Sequence, residues 1–341
     1  MSTLKVAING FGRIGRAFLK VSWERPEIEI VAVNDLGSIE SLAYLLRHDT
    51  VYRDWGHKVE VSGADLIIDG KKVKFVSEKD TTKLPWKELG VDVVVESTGL
   101  FTSFDKAKFH LDQGAKKVVI SAPSKGGDGS VKGETILLGV NEEKFGTSDI
   151  TSNASCTTNA TSPLIAILHE AIGVEKAILN TVHGYTGTQA LVDGPSKKDL
   201  REGRAAAQNI VPSSTGAAIA VTLAFPELTG LFDGISIRVP VPAGSIVDVT
   251  FIAKRNTTRE EVNEILTKAS NDPRWKNIFA VTNEPLVSSD ILGNPHASIA
   301  DLEMTRVVGG NLVKVLGWYD NEMGYTHTLV DHVIKTGATI K

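Results

Sequence analysis

The sequence is short of the residues that staple chains, hold metals or span membranes. One cysteine among 341 residues leaves no partner for an internal disulfide and no thiol set for a metal site. A lone thiol fits a reducing compartment, so a cytoplasmic location is expected. No apolar run approaches the roughly 18 residues that mark a membrane span. The opening Met1-Ser2-Thr3-Leu4-Lys5 lacks the form of a secretory signal. Charge of one sign is scarce too. With 37 Lys and Arg against 41 Asp and Glu, the net charge is −4, which argues against a nucleic-acid or anionic-membrane partner. No internal repeat, low-complexity segment or long linker interrupts the chain; Gly126-Gly127-Asp128-Gly129 reads as a local loop.

What is present describes a globular protein of two domains. Apolar residues make up 42% and charged residues 23%, an ordinary balance, and 341 residues exceed what one core usually organises. In the first half, short apolar runs alternate with helical patterns. Lys5–Asn9, Ile28–Asn34, Val93–Glu96 and Lys117–Ile120 read as buried strands, with helices near 13–24, 39–47 and 104–113. Leu66–Ile68 and Val73–Val76 flank Asp69-Gly70, a hairpin signal. Strand–helix–strand repetition predicts a doubly wound parallel sheet. After about residue 150 the pattern becomes alternating, as in Ile235–Val239, Ile246–Phe251 and Val313–Tyr319, with a turn at Gly309-Gly310. This half reads as an α+β domain with a mostly antiparallel sheet. The expected division is 1–152 and 153–320, with a last helix within 321–341 packing back on the first domain.

Asn9-Gly10-Phe11-Gly12-Arg13-Ile14-Gly15 places G-x-G-x-x-G between a strand and a helix, and Asp35 follows Gly15 by twenty residues. Together these form the dinucleotide fingerprint of a Rossmann-type domain. Glycine allows the tight turn and the approach of backbone N–H groups to a pyrophosphate, and the helix N-terminus adds partial positive charge. An acidic Asp35 would accept from ribose hydroxyls and repel a 2′-phosphate, so NAD is expected over NADP.

The single thiol lies in Ser152-Asn153-Ala154-Ser155-Cys156-Thr157-Thr158-Asn159, a polar run. Asn153 and Ser155 are of the types that cap helices, and Leu164, Ile167, Leu168 and Ala171 share a helical face. Cys156 is therefore expected at a helix N-terminus, where the dipole favours thiolate. Pro163 inside that helix should bend it. A thiolate nucleophile needs a base. Of the eight histidines, His183 stands out, because it ends the apolar run Ala177–Val182 beside Gly184-Tyr185-Thr186-Gly187. Spacing alone does not join it to Cys156, and a hydrogen-bonded structural histidine is the commoner case. Thr186 and Thr215 also suit turns, and Arg238 also suits a solvated strand face.

Six motifs together resemble phosphorylating glyceraldehyde-3-phosphate dehydrogenase, in the family's order over essentially the whole chain. They are "INGFGRIGR", "SNASCTTN", "HGYTGTQALVDGPS", "NIVPSSTGAA", "IRVPVPAGSIVD" and "WYDNEMGY". The resemblance implies Cys156 as nucleophile and His183 as base. It implies that Gly10, Gly12, Arg13, Ile14, Gly15 and Asp35 hold the adenosine half and pyrophosphate of NAD. Thr98 and Ser121 would line the cofactor groove, and Asn321 would orient the nicotinamide amide. Thr186 and Arg238 would bind the phosphate of glyceraldehyde 3-phosphate; Ser155, Thr157, Thr215 and Gly216 would bind inorganic phosphate. No metal is implied. The segment 181–208 resembles the family's S-shaped loop, which packs between subunits of a homotetramer, and Pro195 resembles its residue near a neighbour's adenine ribose. The chain departs from the family at Ala160 (often a second cysteine), at Tyr52-Arg53-Asp54-Trp55, in the longer loop 124–134, at Arg201-Glu202 and at Met323. An erythrose-4-phosphate dehydrogenase, or a catalytically silent NAD-binding protein, would carry many of the same residues.

Overall fold

A computed structural model describes residues 3–124, 128–196 and 199–340. Gly126, Gly127 and part of the segments 124–134 and 181–208 lie outside the described residues. The chain divides into two compact units. One comprises Met1–Ile136, Glu142–Ala154 and Thr326–Lys341; the other comprises Leu137–Asn141 and Ser155–Tyr325.

Among its described residues the first unit is built on a nine-stranded sheet. Leu4–Asn9 lies at its centre, parallel to Ile28–Asn34 on one side and to Val93–Glu96 on the other. Lys117–Ile120 and Ile150–Ser152 continue the parallel run. Val93–Glu96, Lys117–Ile120 and Ile150–Ser152 are buried throughout, as short strands in a parallel sheet are. At the far edge Asp65–Ile68 turns antiparallel onto Lys71–Val76, with Asp69 and Gly70 both at positive φ, as the Asp-Gly signal predicts. The helical pattern at 104–113 resolves into two short helices, Phe104–Ala107 and Phe109–Asp112. Near Lys108 the backbone bonds tighten to i→i+3, from Lys108 N to Asp105 O and from Leu111 N to Lys108 O. The C-terminal helix Met323–Gly337 gives most of its length to this unit. There His332 accepts from Thr151 Oγ1 at 2.8 Å and donates to Asn153 Oδ1 at 3.1 Å.

Among its described residues the second unit holds an eight-stranded, mostly antiparallel sheet. Val174–Gly184 runs antiparallel to Ser245–Ala253 but parallel to Phe232–Val239. That parallel register sets His183 opposite Arg238. Gly309-Gly310, both at positive φ, turns Arg306–Val308 onto Leu312–Tyr319. The helix Cys156–Ile172 is buried along most of its length, which explains its apolar character around Leu164–Leu168, and it runs on through Pro163. No helix among the described residues is long and apolar enough to cross a membrane.

Candidate active site

In the first unit the glycine loop has the shape its residues demand. Gly10 sits at φ +96°, and a Cβ there would lie 2.6 Å from the backbone nitrogen of Thr98. A Cβ on Gly15 would lie 2.1 Å from the carbonyl oxygen of Gly10. Only hydrogen lets the helix Arg13–Trp23 start this close to the strand before it. Gly12 is different: nothing stands within 4 Å of its Cβ direction, and no side chain caps the helix it begins. The open side and the uncapped helix start fit a pyrophosphate. Asp35 ties the loop down, accepting from Phe11 N at 2.7 Å and from Gly37 N at 2.8 Å. Arg13 is drawn outward into an ion pair with Asp49 at 2.7 Å, above the ring of Tyr52. Ile14 is half-buried. Thr98 and Ser121 follow adjacent strands at their C-terminal ends, both half-buried, and Ser121 N donates to Glu96 O.

In the second unit Cys156 is the first residue of its helix. Ser155 caps it, its Oγ accepting from Thr158 N at 3.0 Å. The residue before, Ala154, is buried at φ +56°, a strained setting for a residue with a Cβ. Sγ stands 3.4 Å from His183 Nε2. The other ring nitrogen, Nδ1, is 2.6 Å from Gly184 O and 2.6 Å from Arg238 Nη1. As a donor Nδ1 serves the carbonyl; as an acceptor it takes a hydrogen bond from the guanidinium. It cannot do both: the Arg238 contact calls for the tautomer with the proton on Nε2, facing sulfur, and the Gly184 contact for the one with the proton on Nδ1.

The electrostatics differ from the expected lowered thiol pKa. Cys156 keeps some accessible surface as a residue, yet the protein around its sulfur pushes the thiol up; Arg238 pulls in the opposite direction and is outweighed. Burial, then the Arg238 charge, push His183 down to about 3. Both shifts favour the neutral thiol and the neutral imidazole. The backbone N–H groups of Cys156 and Thr157 at the helix start pull the thiol down, but by less than desolvation pushes it up.

Around this pair, Tyr319 is buried with its hydroxyl 3.0 Å from Thr157 Oγ1 and 2.8 Å from Thr181 Oγ1, and its ring stands edge-on to His183. Thr157 is thus turned inward, with its hydroxyl on Tyr319 and its backbone N–H beside the Cys156 sulfur. Thr186 is half-buried, its Oγ1 3.1 Å from Thr188 Oγ1. Thr215 Oγ1 accepts from Ala217 N, and the short helix that Gly216 begins packs against the thiol helix. Asn321 is buried, with Oδ1 accepting from Gly244 N at 2.9 Å. Glu202 accepts from Ser213 Oγ.

The glyceraldehyde 3-phosphate dehydrogenase NAD-binding domain model matches residues 4–104, and the C-terminal domain model of the same family matches 155–321. The chain belongs to the glyceraldehyde-3-phosphate dehydrogenase family. It is 48% identical to glyceraldehyde-3-phosphate dehydrogenase of Borreliella burgdorferi over 96% of this chain and 98% of that protein. It is 45% identical to the protein of the same name from Zymomonas mobilis, over 99% of each, and 46% identical to that of Streptomyces coelicolor, over 98% and 99%. As a member of this family it is an NAD-dependent oxidoreductase, and the glycine loop lies in the family's NAD-binding domain.

Three features of these sites escape sequence reading. Tyr319 lies in the quoted "WYDNEMGY" motif, but only the fold brings it to Thr157, 162 positions away. The Arg238–His183 contact depends on the register of two strands. The positive φ of Ala154 has no residue signal, because glycine or asparagine would be the usual marker.

Proposed function

We propose that the chain oxidises glyceraldehyde 3-phosphate, with NAD and inorganic phosphate, to 1,3-bisphosphoglycerate. The observation that carries this reading is Cys156 Sγ at a helix N-terminus, 3.4 Å from His183 Nε2. Arg238 offers a planar donor fork to the substrate phosphate, with Thr186 beside it as a hydroxyl donor. Engaging that phosphate draws the guanidinium away from Nδ1. Nδ1–H then donates to Gly184 O, and the Nε2 lone pair turns to the thiol.

Sγ attacks the aldehyde carbon while its proton passes to Nε2. The backbone N–H of Cys156 and the imidazolium stabilise the oxyanion, which takes the proton to give a hemithioacetal. NAD, when bound, supplies the hydride acceptor. His183 removes the hydroxyl proton as the carbonyl re-forms, leaving a thioester on Cys156. An oxygen of inorganic phosphate, held by Ser155, the Thr157 backbone, Thr215 and Gly216, attacks the thioester carbon. The C–S bond breaks, the acyl phosphate departs and sulfur leaves as thiolate beside the imidazolium.

Asn321 would orient the nicotinamide amide, with its own carbonyl already fixed by Gly244. The loop 181–208 leaves Leu191, Val192 and Leu200 exposed, which suits burial against another copy in a homotetramer. A cytoplasmic location fits the lone thiol.

The test is NADH formation from glyceraldehyde 3-phosphate and NAD, with and without inorganic phosphate, with NADP and erythrose 4-phosphate as parallel arms. The reading requires fast, phosphate-dependent NADH production that vanishes in Cys156→Ala while NAD binding persists. Near-normal turnover by that variant, or faster use of erythrose 4-phosphate, would overturn it. Light scattering at a monomer mass would remove the tetramer.

A further inference from the structure

A buried polar network lies directly beneath the glycine loop. Its hub is Glu96, at the end of the strand beside Leu4–Asn9 and only 2% exposed. Oε2 accepts from Asn9 Nδ2 at 2.6 Å and from His110 Nε2 at 3.0 Å. Oε1 accepts from Thr98 N at 2.9 Å and from the Thr98 hydroxyl. Four donors converge on one side chain.

Both far ends of the network set the direction of every bond. Trp86 Nε1 can only donate, and it donates to His110 Nδ1 at 2.9 Å. The His110 proton is therefore on Nε2 and points at Glu96. Burial pushes His110 down, so the ring stays neutral. At the other end the backbone N–H of Glu78 donates to Asn34 Oδ1 at 2.9 Å. The Asn34 amide then donates to Asn9 Oδ1 at 2.8 Å, which leaves Asn9 presenting its own Nδ2 to Glu96. No member can reverse without breaking a bond to a donor-only group. The hub has to be an acceptor on all sides, which a carboxylate is and an amide is not.

The two oxygens hold the two walls of the glycine loop. Oε2 holds Asn9, the residue before Gly10. Oε1 holds Thr98, whose backbone nitrogen is what a Cβ on Gly10 would strike. Between them Ser97 Oγ donates to Gly10 O at 2.7 Å. We propose that Glu96 is a positioning residue for the cofactor: its carboxylate sets the spacing of the glycine loop and Thr98, and so sets affinity for NAD without touching it.

This inference rests on NAD occupying the glycine loop, and the experiment separates the two. NAD affinity is titrated directly, and steady-state kinetics run alongside, for the wild-type chain, Asp35→Ala, Glu96→Gln and Trp86→Phe. Asp35→Ala reports on the location: unchanged NAD affinity there removes the loop as the cofactor site and, with it, this inference. Glu96→Gln sets an amide N–H against donor hydrogens, and the NAD dissociation constant and KM should rise at least about tenfold. Turnover at saturating NAD and KM for glyceraldehyde 3-phosphate should stay within about twofold, a split that simple loss of stability would not produce. Trp86→Phe frees His110 to change tautomer and should raise KM for NAD by a smaller factor; it serves if Glu96→Gln does not fold. Weaker NAD binding by Asp35→Ala together with wild-type NAD affinity in Glu96→Gln, or in Trp86→Phe where only that variant folds, would refute the positioning role alone.

Discussion

Replacing Arg238 by glutamine removes a positive charge near the thiol and leaves a shorter, neutral amide. The contacts Nη1–Nδ1 at 2.6 Å and Nε2–Sγ at 3.4 Å lie across one imidazole ring. The guanidinium is therefore no more than roughly 8 Å from sulfur, which at an effective dielectric of about 20 is worth roughly 2 kcal/mol to a thiolate, or about 1.5 pH units. The direction follows from Arg238 lowering the Cys156 pKa against burial. Without it the thiol titrates at higher pH. The assay is the second-order rate of inactivation by iodoacetamide across pH, with no substrate present, so that phosphate recognition does not enter. The midpoint should move up by about 1–2 units in Arg238→Gln. Arg238→Lys keeps the charge but loses the fork, so its midpoint should stay near wild type while KM for the aldehyde phosphate still rises. Equal midpoints in wild type and Arg238→Gln would show that the guanidinium does not tune the thiol.

Acid should destabilise the chain through buried histidines. His332 and His183 are each pushed down to about 3, so the fold excludes a proton that the unfolded chain takes up near pH 6.5. Their contribution is present above that pH and is lost as pH falls toward 3, by roughly 1.4 kcal/mol per unit for each. Denaturant unfolding of His332→Gln should show a pH slope shallower by that amount, and an unchanged slope would deny the burial argument. In Gly15→Ala, a Cβ 2.1 Å from Gly10 O forces the helix start away by about 1 Å, and NAD affinity should fall by about two orders of magnitude; normal NAD titration would refute this. Tyr319→Phe loses bonds to Thr157 and Thr181 and should cost about 1–2 kcal/mol in unfolding free energy while NAD affinity holds. A wild-type unfolding midpoint would show that the two threonines re-pair without it.

Legibility in the sequence tracks how local each cause is. The glycine fingerprint is local: each glycine answers to a turn or a contact within a few residues, apart from Thr98, so Gly10, Gly15 and Asp35 could be read directly. The parallel core was legible because strands buried on both faces carry unbroken apolar runs. The helix start at Cys156 follows from Ser155 three residues before the N–H it caps. The break at Lys108 was not legible, since Phe104–Gln113 keeps helical spacing throughout. Arg238 meets His183 across 55 positions through a parallel pair in an otherwise largely antiparallel sheet. Glu96 meets Asn9 across 87 positions. Nothing near either residue marks the encounter.

The thiol shows why residue type and element position were not enough to fix chemistry. A helix N-terminus favours thiolate, and that much can be read from Ser155 and the periodicity after it. Burial opposes it with a larger effect, because the same helix that offers its N-terminus is enclosed along Thr157–Leu168. Arg238 then works in two directions: it lowers the Cys156 pKa and, through Nδ1, depresses the basicity of His183. Burial keeps the thiol neutral, and burial and Arg238 keep the imidazole neutral, so on the proposed function a substrate phosphate that pulls Arg238 off the histidine would couple binding to activation. A phosphate-free aldehyde would then lose turnover as well as affinity, because it leaves Arg238 on Nδ1 and the proton on Nε2. Inorganic phosphite supplied with that aldehyde should recover part of the lost kcat in the wild type and none in Arg238→Gln; equal recovery in both would show that Arg238 neither binds the phosphate nor couples it to the histidine.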